Sequence, residues 1–143
     1  MKHKPSWEVC AIANTISYIL SLGINGGPTV AESGTFSADA YELIDEATIP
    51  KNSVPTTLEV QPSLLVDIKA LAIKCNNYDG DVSFTVDEGV TPVVVDAPIV
   101  LIGSGALGLL GATINDLIFT NANTETDAKV TVLAVRDAVP EGA

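Results

Sequence analysis

Apolar and polar residues alternate along much of this 143-residue chain, which is the period of a β-strand. In residues 15–22 the apolar side chains share one face and the hydroxyl side chains share the other: Ile16, Tyr18, Leu20 and Leu22 against Thr15, Ser17 and Ser21. Helical spacing also fits several apolar positions here, namely Val9, Ile12, Ala13, Ile16 and Leu20. We predict a short helix or turn before residue 14 and a strand after it.

Turn-forming residues divide the rest of the chain into short segments. The composition of residues 23–28 predicts a turn, and residues 35–44 predict a strand. Residues 49–55 contain two prolines, which cannot donate hydrogen bonds within a central strand, so this segment is expected to be a loop. Residues 56–61 predict the next strand.

The segment around residues 76–81 predicts a β-hairpin. Leu71, Ile73 and Cys75 alternate with other residues before it, and Val82 and Phe84 alternate after it. The intervening segment is rich in Asn, Asp and Gly, which favour tight turns. We therefore expect the two strands to pair with each other.

Three later strands complete the expected fold. Residues 92–102 are almost continuously apolar and predict a buried strand interrupted by Pro98, and residues 113–120 and 129–136 predict a final pair. About eight strands with frequent turns indicate an all-β protein, an antiparallel two-sheet sandwich of jelly-roll type. The expected organisation is an N-terminal arm or helix at residues 1–13, a single sandwich domain at 14–138 and a tail at 139–143.

Charge and composition exclude several classes of partner. The net charge is -11, and aromatic residues make up only 5% of the chain. Nucleic acids and anionic lipids attract clustered Lys and Arg, which the chain lacks, so neither a nucleic acid nor a membrane is an expected partner. The only basic cluster is at residues 2–4, where Lys2 and Lys4 flank the single histidine, His3.

The two cysteines and the apolar N-terminal segment bear on the cellular compartment. Cys10 and Cys75 have no spacing that indicates a disulfide, so two buried free thiols are expected, as suits a reducing cytoplasm. The segment 9–24 is interrupted by Asn14, Thr15, Ser17 and Ser21, which makes it too polar to span a bilayer. Residues 5–8 separate it from the basic start and no small-x-small cleavage site is obvious, so a signal peptide is not expected.

Residues 103–108 match the pattern G-x-G-x-x-G, which in dinucleotide-binding proteins places a pyrophosphate at a helix N-terminus. The surrounding sequence argues against dinucleotide binding. The match begins close to the C-terminal end of the chain, no alternation of strands and helices precedes it, and no acidic residue ends the next strand to hold a ribose. We interpret Gly103, Gly105 and Gly108 as part of a flexible loop between two strands.

Other candidate chemistry is weak, so the chain is expected to be neither an enzyme nor a protein that carries a cofactor. Residues 76–81 could offer oxygen ligands to calcium but lack the spacing of an EF-hand loop. The only histidine has no neighbouring Cys or His for a metal site or a catalytic triad. The paired carboxylates Asp45–Glu46 and Asp87–Glu88 fit a solvated acidic surface.

Apolar residues occupy both faces of several predicted strands, although a sheet in a sandwich buries only one face. The surplus apolar surface predicts a subunit interface, and the alternative is a larger, well-filled core. Candidate interface residues lie on the strands and in the N-terminal arm: Lys2, Lys4, Trp7, Leu71, Ile73, Leu133 and Val135.

The strand and turn pattern of residues 71–87 and 113–135 resembles the small β-sandwich virion proteins of tailed bacteriophages, of the decoration or cement type. The resemblance implies a non-enzymatic homo-oligomer, often a trimer, that binds a major capsid protein or another virion protein and stabilises the particle. It implies assembly in the host cytoplasm and a final location in the virion. The alternative is a carbohydrate-binding or adhesive sandwich, which needs exposed Trp or Tyr on a sheet or a loop rim.

Overall fold

A computed structural model describes residues 14–60, 68–87, 91–110 and 114–137. The predicted N-terminal arm and C-terminal tail lie outside these residues. The same holds for several residues named above, among them Lys2, His3, Lys4, Trp7, Cys10 and Glu88.

The described chain begins with a long β-hairpin, which we call the ribbon (residues 14–38). Its strands are β1 (Asn14–Gly23) and β2 (Thr29–Ala38), paired in register from Asn14 opposite Ala38 to Gly23 opposite Thr29. The Ile24 amide donates to the Pro28 carbonyl at 2.9 Å, and Gly26 adopts a φ of 75°, which favours glycine. The predicted strand at 15–22 and turn at 23–28 are confirmed, but the ribbon is a separate two-stranded sheet.

Two four-stranded sheets form the body of the molecule, and every strand pair in them is antiparallel. The first sheet has the order β3-β10-β5-β8 and the second has the order β4-β9-β6-β7. The bounds in chain order are β3 Ala40–Ile49, β4 Thr56–Glu59, β5 Ile68–Cys75, β6 Val82–Val86, β7 Val93–Val94, β8 Ile99–Ile102, β9 Asp116–Asn121 and β10 Ala128–Arg136. This arrangement confirms the predicted antiparallel two-sheet architecture; the jelly-roll form is not confirmed.

The core lies between the two sheets and consists mainly of Val, Leu and Ile. At its centre Phe84 and Phe119 pack with ring centroids 5.2 Å apart and an interplanar angle of 39°. Both are fully buried, and none of the residues of this core cluster belongs to the ribbon. The inner faces of the strands supply the rest, as the alternation of apolar residues predicts.

The predicted pairing of the strands on either side of residues 76–81 is wrong. Both strands exist, but β5 belongs to the first sheet and β6 to the second. The connection therefore crosses the core, with Leu71 and Ile73 on one side and Val82 and Phe84 on the other. Period-2 alternation determines which face of a strand is buried, and it is the same for a hairpin and for a connection between sheets.

Three other segments also depart from the expected pattern. The single strand predicted at 35–44 is the end of β2 and the start of β3, which meet at Asp39. The apolar run 92–102 is divided between β7 in one sheet and β8 in the other, and the expected final pair, β9 and β10, is likewise divided. The reason is common to all three: the packing of the two sheets, rather than proximity in sequence, selects the neighbours.

Candidate interaction surfaces

The ribbon has one apolar face and one hydroxyl-rich face, because side chains alternate along each strand and the register aligns like with like. The apolar face contains residues from both strands: Ile16, Tyr18, Leu20, Leu22, Val30, Phe36 and Ala38. The opposite face is formed mainly by serines and threonines: Thr15, Ser17, Ser21, Thr29, Ser33, Thr35 and Ser37. Glu32 is the only charged residue between residues 14 and 38, and it lies on the apolar face opposite Leu20.

Exposure of the apolar face increases from the base of the ribbon to its tip. Ala38 at the base is 1% exposed, and Tyr18 and Phe36 are half-buried. At the tip, Leu22 is 81% exposed and Val30 is 78% exposed. The body of the molecule covers the base, and the tip presents large aliphatic side chains to solvent.

The middle of the apolar face is organised around Gly34. A Cβ atom at this position would lie 2.6 Å from the Tyr18 hydroxyl oxygen and 2.9 Å from Cζ, so the Tyr18 ring lies across the glycine. Tyr18 also contacts Phe36, with ring centroids 6.4 Å apart. The absent side chain therefore makes room for the aromatic ring, which stiffens the ribbon between base and tip.

Lys69 on β5 connects the base of the ribbon to the body. Its Nζ donates to the Ser37 carbonyl at 2.8 Å and lies 3.1 Å from the Asp137 carboxylate. A cleft of about 490 Å³ opens beside it, with Tyr18 and Phe36 on the ribbon side. The ribbon is thus attached at its base and separated from the body farther along.

The outer face of the first sheet is the second apolar surface. The strand register aligns two rows of four residues across β3, β10, β5 and β8. We call these eight residues the outer patch: Tyr41, Val135, Ala70 and Ile102 in one row, and Leu43, Leu133, Ala72 and Val100 in the next. No charged residue interrupts either row.

Three of the eight residues of the outer patch are exposed, four are half-buried and Val135 is buried. Tyr41 is 57% exposed, Leu43 is 54% exposed and Val100 is 46% exposed. A groove of about 250 Å³ crosses the patch between β5, β8 and β10, where Ala72, Val100 and Leu133 contribute to its lining. A uniformly apolar sheet face of this kind is typical of an interface.

A polar row borders the outer patch. Continuing the register from Leu133 and Ala72 leads to Thr131 opposite Lys74, and Thr131 Oγ1 donates to the Asp45 carboxylate at 3.2 Å. Lys74 is exposed and forms no ion pair with any residue in the described ranges. The patch therefore has a cation available at one border.

The structure separates the four predicted interface residues on the strands into two groups. Leu133 and Val135 lie on the outer face of the sheet, where Leu133 is half-buried, but Val135 is only 2% exposed and is covered by its own chain. Leu71 and Ile73 point into the core instead, each 1% exposed, so their assignment to an interface is corrected. Their neighbours on β5, Ala70 and Ala72, occupy the outer face, as the alternation of side chains requires.

Sequence reasoning did not identify the ribbon tip or the β3 part of the patch. The prediction places Leu22 in the strand at 15–22 and Tyr41 and Leu43 in the strand at 35–44, and it assigns Val30 to no element. The signal that could have found the ribbon is the absence of charge between residues 9 and 31 combined with two alternating segments around the Gly-rich turn.

The glycine motif forms a helical turn rather than a flexible loop. β8 is followed by a one-turn helix, α1 (Ser104–Leu107), and a 3-10 turn at Gly108–Leu110. Gly103 has φ 92° and ψ 156°, which glycine adopts readily. A Cβ at Gly105 or Gly108 would meet no atom within 4 Å, and β8 pairs antiparallel with β5, unlike the strand of a dinucleotide-binding unit.

Other chemical features of the described residues are few. Cys75 is buried with a free thiol, which agrees with the prediction for that residue. No group of three His, Cys, Asp or Glu side chains within the described ranges is arranged to hold a metal ion. The helices found in the described parts of the chain are too short to cross a membrane.

Comparisons of the chain with protein-family models, with curated proteins and with solved structures find no match.

Proposed function

We propose that this chain is a non-enzymatic structural subunit that oligomerises through the ribbon and the outer patch. The observation that carries the proposal is the pair of uncovered apolar surfaces on one small molecule. Of the 25 positions from Asn14 to Ala38 only Glu32 is charged, and the eight residues of the patch are all uncharged.

Hydrophobic burial supplies the driving force for this association. Each large aliphatic side chain that moves from solvent into an interface contributes on the order of 1.5–3 kcal/mol. The ribbon tip holds three with more than half of their surface exposed, Leu22, Ile24 and Val30. The other face of the ribbon is rich in Ser and Thr and carries one large apolar residue, Ile19.

The particular form that we propose is a virion structural protein, a trimer or other closed oligomer that decorates and stabilises a capsid or a related phage particle. This form is supported by the resemblance of the strand and turn pattern of residues 71–87 and 113–135 to virion sandwich proteins, and by an acidic body that carries two apolar surfaces. A subunit that binds only the assembled lattice stabilises it by its binding free energy, and many weak copies add up through multivalency.

Sedimentation equilibrium of the full chain tests the assembly role. We expect an oligomer at micromolar concentration that Leu22→Lys dissociates. Leu109→Lys is the matched control, because Leu109 is 82% exposed, against 81% for Leu22, but lies outside both surfaces. A chain that stays monomeric at high concentration and associates with no larger particle contradicts the proposal and favours a monomeric carbohydrate-binding or adhesive module.

Attachment to a particle is tested separately with a chain that lacks residues 1–13. These residues include Lys2, Lys4 and Trp7, which we propose contact an acidic neighbour in the particle. We expect the truncated chain to form the same oligomer but to bind the particles of its source more weakly. Binding at full affinity by the truncated chain contradicts the anchoring role.

A further inference from the structure

We propose that the tip of the ribbon packs on the outer patch of a second copy of this chain, with the apolar face of the ribbon against the four-stranded sheet. This inference rests on the proposed assembly role and names the partner of both surfaces. The contact joins different surfaces on the two copies, so repetition closes a ring or extends a filament.

The two surfaces match in spacing. Along a strand, residues on one face recur about every 6.8 Å, twice the rise per residue. The ribbon tip presents Ile24, then the pair Leu22 and Val30, then the pair Leu20 and Glu32. The sheet presents the Tyr41 row, then the Leu133 row, then the polar row with Lys74.

When the Leu22–Val30 pair lies over the Leu133 row, the neighbouring rows of the ribbon and of the sheet also face each other. Ile24 then lies over Tyr41, the exposed residue of the next apolar row of the patch. On the other side, Glu32 lies over the row that contains Lys74. In the ribbon, Glu32 lies one residue pair beyond the Leu22–Val30 pair, and in the sheet Lys74 lies one row beyond the Leu133 row. Aligned packing of sheets at about 10 Å separation has this geometry.

Charge supports the same placement. Glu32 is the only charge on the described ribbon, and it lies on the face that becomes buried. A buried carboxylate without a partner opposes association strongly. A favourable contact therefore needs a cation in the sheet row that faces Glu32. Lys74 is exposed at the border of the patch and has no ion-pair partner among the described residues of its own chain.

One contact between the ribbon tip and the patch is small, and repetition of the contact enlarges the area that each copy buries. A ten-residue ribbon is about 34 Å long. In a closed ring every copy contributes its ribbon once and its patch once, so each subunit buries two such contacts. Stable interfaces bury about 800 Å² on each partner.

Disulfide trapping between two variants, each with one introduced cysteine, tests the contact directly. Both variants carry Cys10→Ser, and they retain Cys75, which is buried. One adds Leu22→Cys on the ribbon and the other adds Leu133→Cys on the patch. After mixing and mild oxidation, we expect a mixed disulfide dimer as the main product.

The controls place cysteines at exposed positions on the wrong faces. Ser21→Cys places a thiol on the hydroxyl-rich face of the ribbon, next to Leu22. Thr57→Cys places one on the exposed face of the second sheet. Neither is expected to form a mixed disulfide above background with the Leu133→Cys or Leu22→Cys chain.

The pattern of products separates the possible contacts. Homodimers of the Leu22→Cys chain alone indicate ribbon-to-ribbon contact, and homodimers of the Leu133→Cys chain alone indicate contact between patches. Either result without the mixed product overturns the inference. An intramolecular disulfide in a Leu22→Cys/Leu133→Cys chain, without the mixed product, also overturns it and indicates that the ribbon folds onto its own patch.

Charge reversal gives an independent test of the register. We expect Glu32→Lys and Lys74→Glu each to raise the dissociation constant about fivefold to tenfold, the scale of a partly desolvated ion pair. The chain carrying both changes is expected to recover the original value. Glu59→Lys is the control for Glu32→Lys, because it alters net charge equally from an exposed position on the second sheet.

Failure of the inference is distinguishable from failure of the proposed function. An intact oligomer without the mixed disulfide, and without recovery in the double charge reversal, overturns the ribbon-to-patch contact but leaves assembly standing. A chain that sediments as a monomer and binds no particle overturns both.

Discussion

Asn121 connects three parts of the chain through one buried side chain. Its Nδ2 donates to the Thr126 carbonyl at 3.0 Å and to the Ile49 carbonyl at 3.3 Å, and its Oδ1 accepts from the Asn123 amide at 3.0 Å. The residue is 0% exposed, so water cannot replace these partners. It therefore fixes the connection between β9 and β10 against the end of β3.

Asn121→Ala is expected to lower the free energy of unfolding by roughly 2–3 kcal/mol, because it leaves buried carbonyls and an amide without partners. Urea denaturation followed by circular dichroism measures the change. Thr124→Ala, at an exposed position in the same connection, is the control and should change stability by less than about 0.5 kcal/mol. Equal stability of the two variants would show that the network is dispensable.

The three glycines of the G-x-G-x-x-G match differ in their conformational needs. Gly103→Ala is expected to cost about 1–3 kcal/mol of stability, because a side chain is strained at φ 92°, ψ 156°. Gly105→Ala and Gly108→Ala should leave stability unchanged or raise it by up to about 1 kcal/mol. Thermal denaturation of the three variants measures the order of their stabilities. Micromolar binding of a dinucleotide, lost on Gly105→Ala, would contradict our interpretation of the motif.

At the scale of secondary structure, the ribbon differs from the other elements in its dependence on tertiary contacts. It pairs only with itself, and its apolar face is covered at the base alone. The strands of the body instead share one core, to which the ribbon contributes no residue. The core of the body is therefore formed without contacts from the ribbon.

Removal of residues 1–38 is expected to leave a folded body that no longer oligomerises. The core between the two sheets is unchanged by the deletion, so a cooperative thermal transition and a β-type far-ultraviolet spectrum should persist. The spectrum should indicate helix in well under a third of residues. Loss of the cooperative transition would show that the ribbon is required for the fold.

For the whole molecule, the acidic charge opposes assembly while the apolar surfaces favour it. A net charge of -11 gives every pair of copies a long-range repulsion. Salt screens this repulsion, with a Debye length of about 10 Å at 0.1 M, and does not weaken hydrophobic burial. The ionic strength therefore sets how strongly the copies associate.

Self-association is expected to strengthen as sodium chloride rises from about 0.05 to 0.5 M, a range over which the Debye length falls severalfold. Sedimentation equilibrium at several salt concentrations measures the trend. Particle attachment through Lys2 and Lys4 should show the opposite trend, because there salt screens an attraction. Self-association that weakens with salt would indicate that ion pairs, rather than apolar contacts, hold the oligomer together.

The sequence by itself determined the class of the fold and the positions of most strands. Alternation at residues 15–22 and 82–86 predicted which segments are extended and which faces are apolar, because side chains on a strand alternate whatever it pairs with. The same alternation identified Leu133 and Val135 as members of a surplus apolar face. The turn-forming residues Gly, Pro and Asn located the turn at 23–28.

Tertiary structure alone decided which strands are neighbours and which apolar face is inside. Six of the seven connections between consecutive strands from β3 to β10 cross from one sheet to the other, and only β6 to β7 stays in the same sheet. For that reason local rules predicted hairpins at β5–β6 and β9–β10 where none forms. On β5 both faces carry apolar residues, and only the packing of the second sheet placed Leu71 and Ile73 inside and left Ala70 and Ala72 on the outer patch.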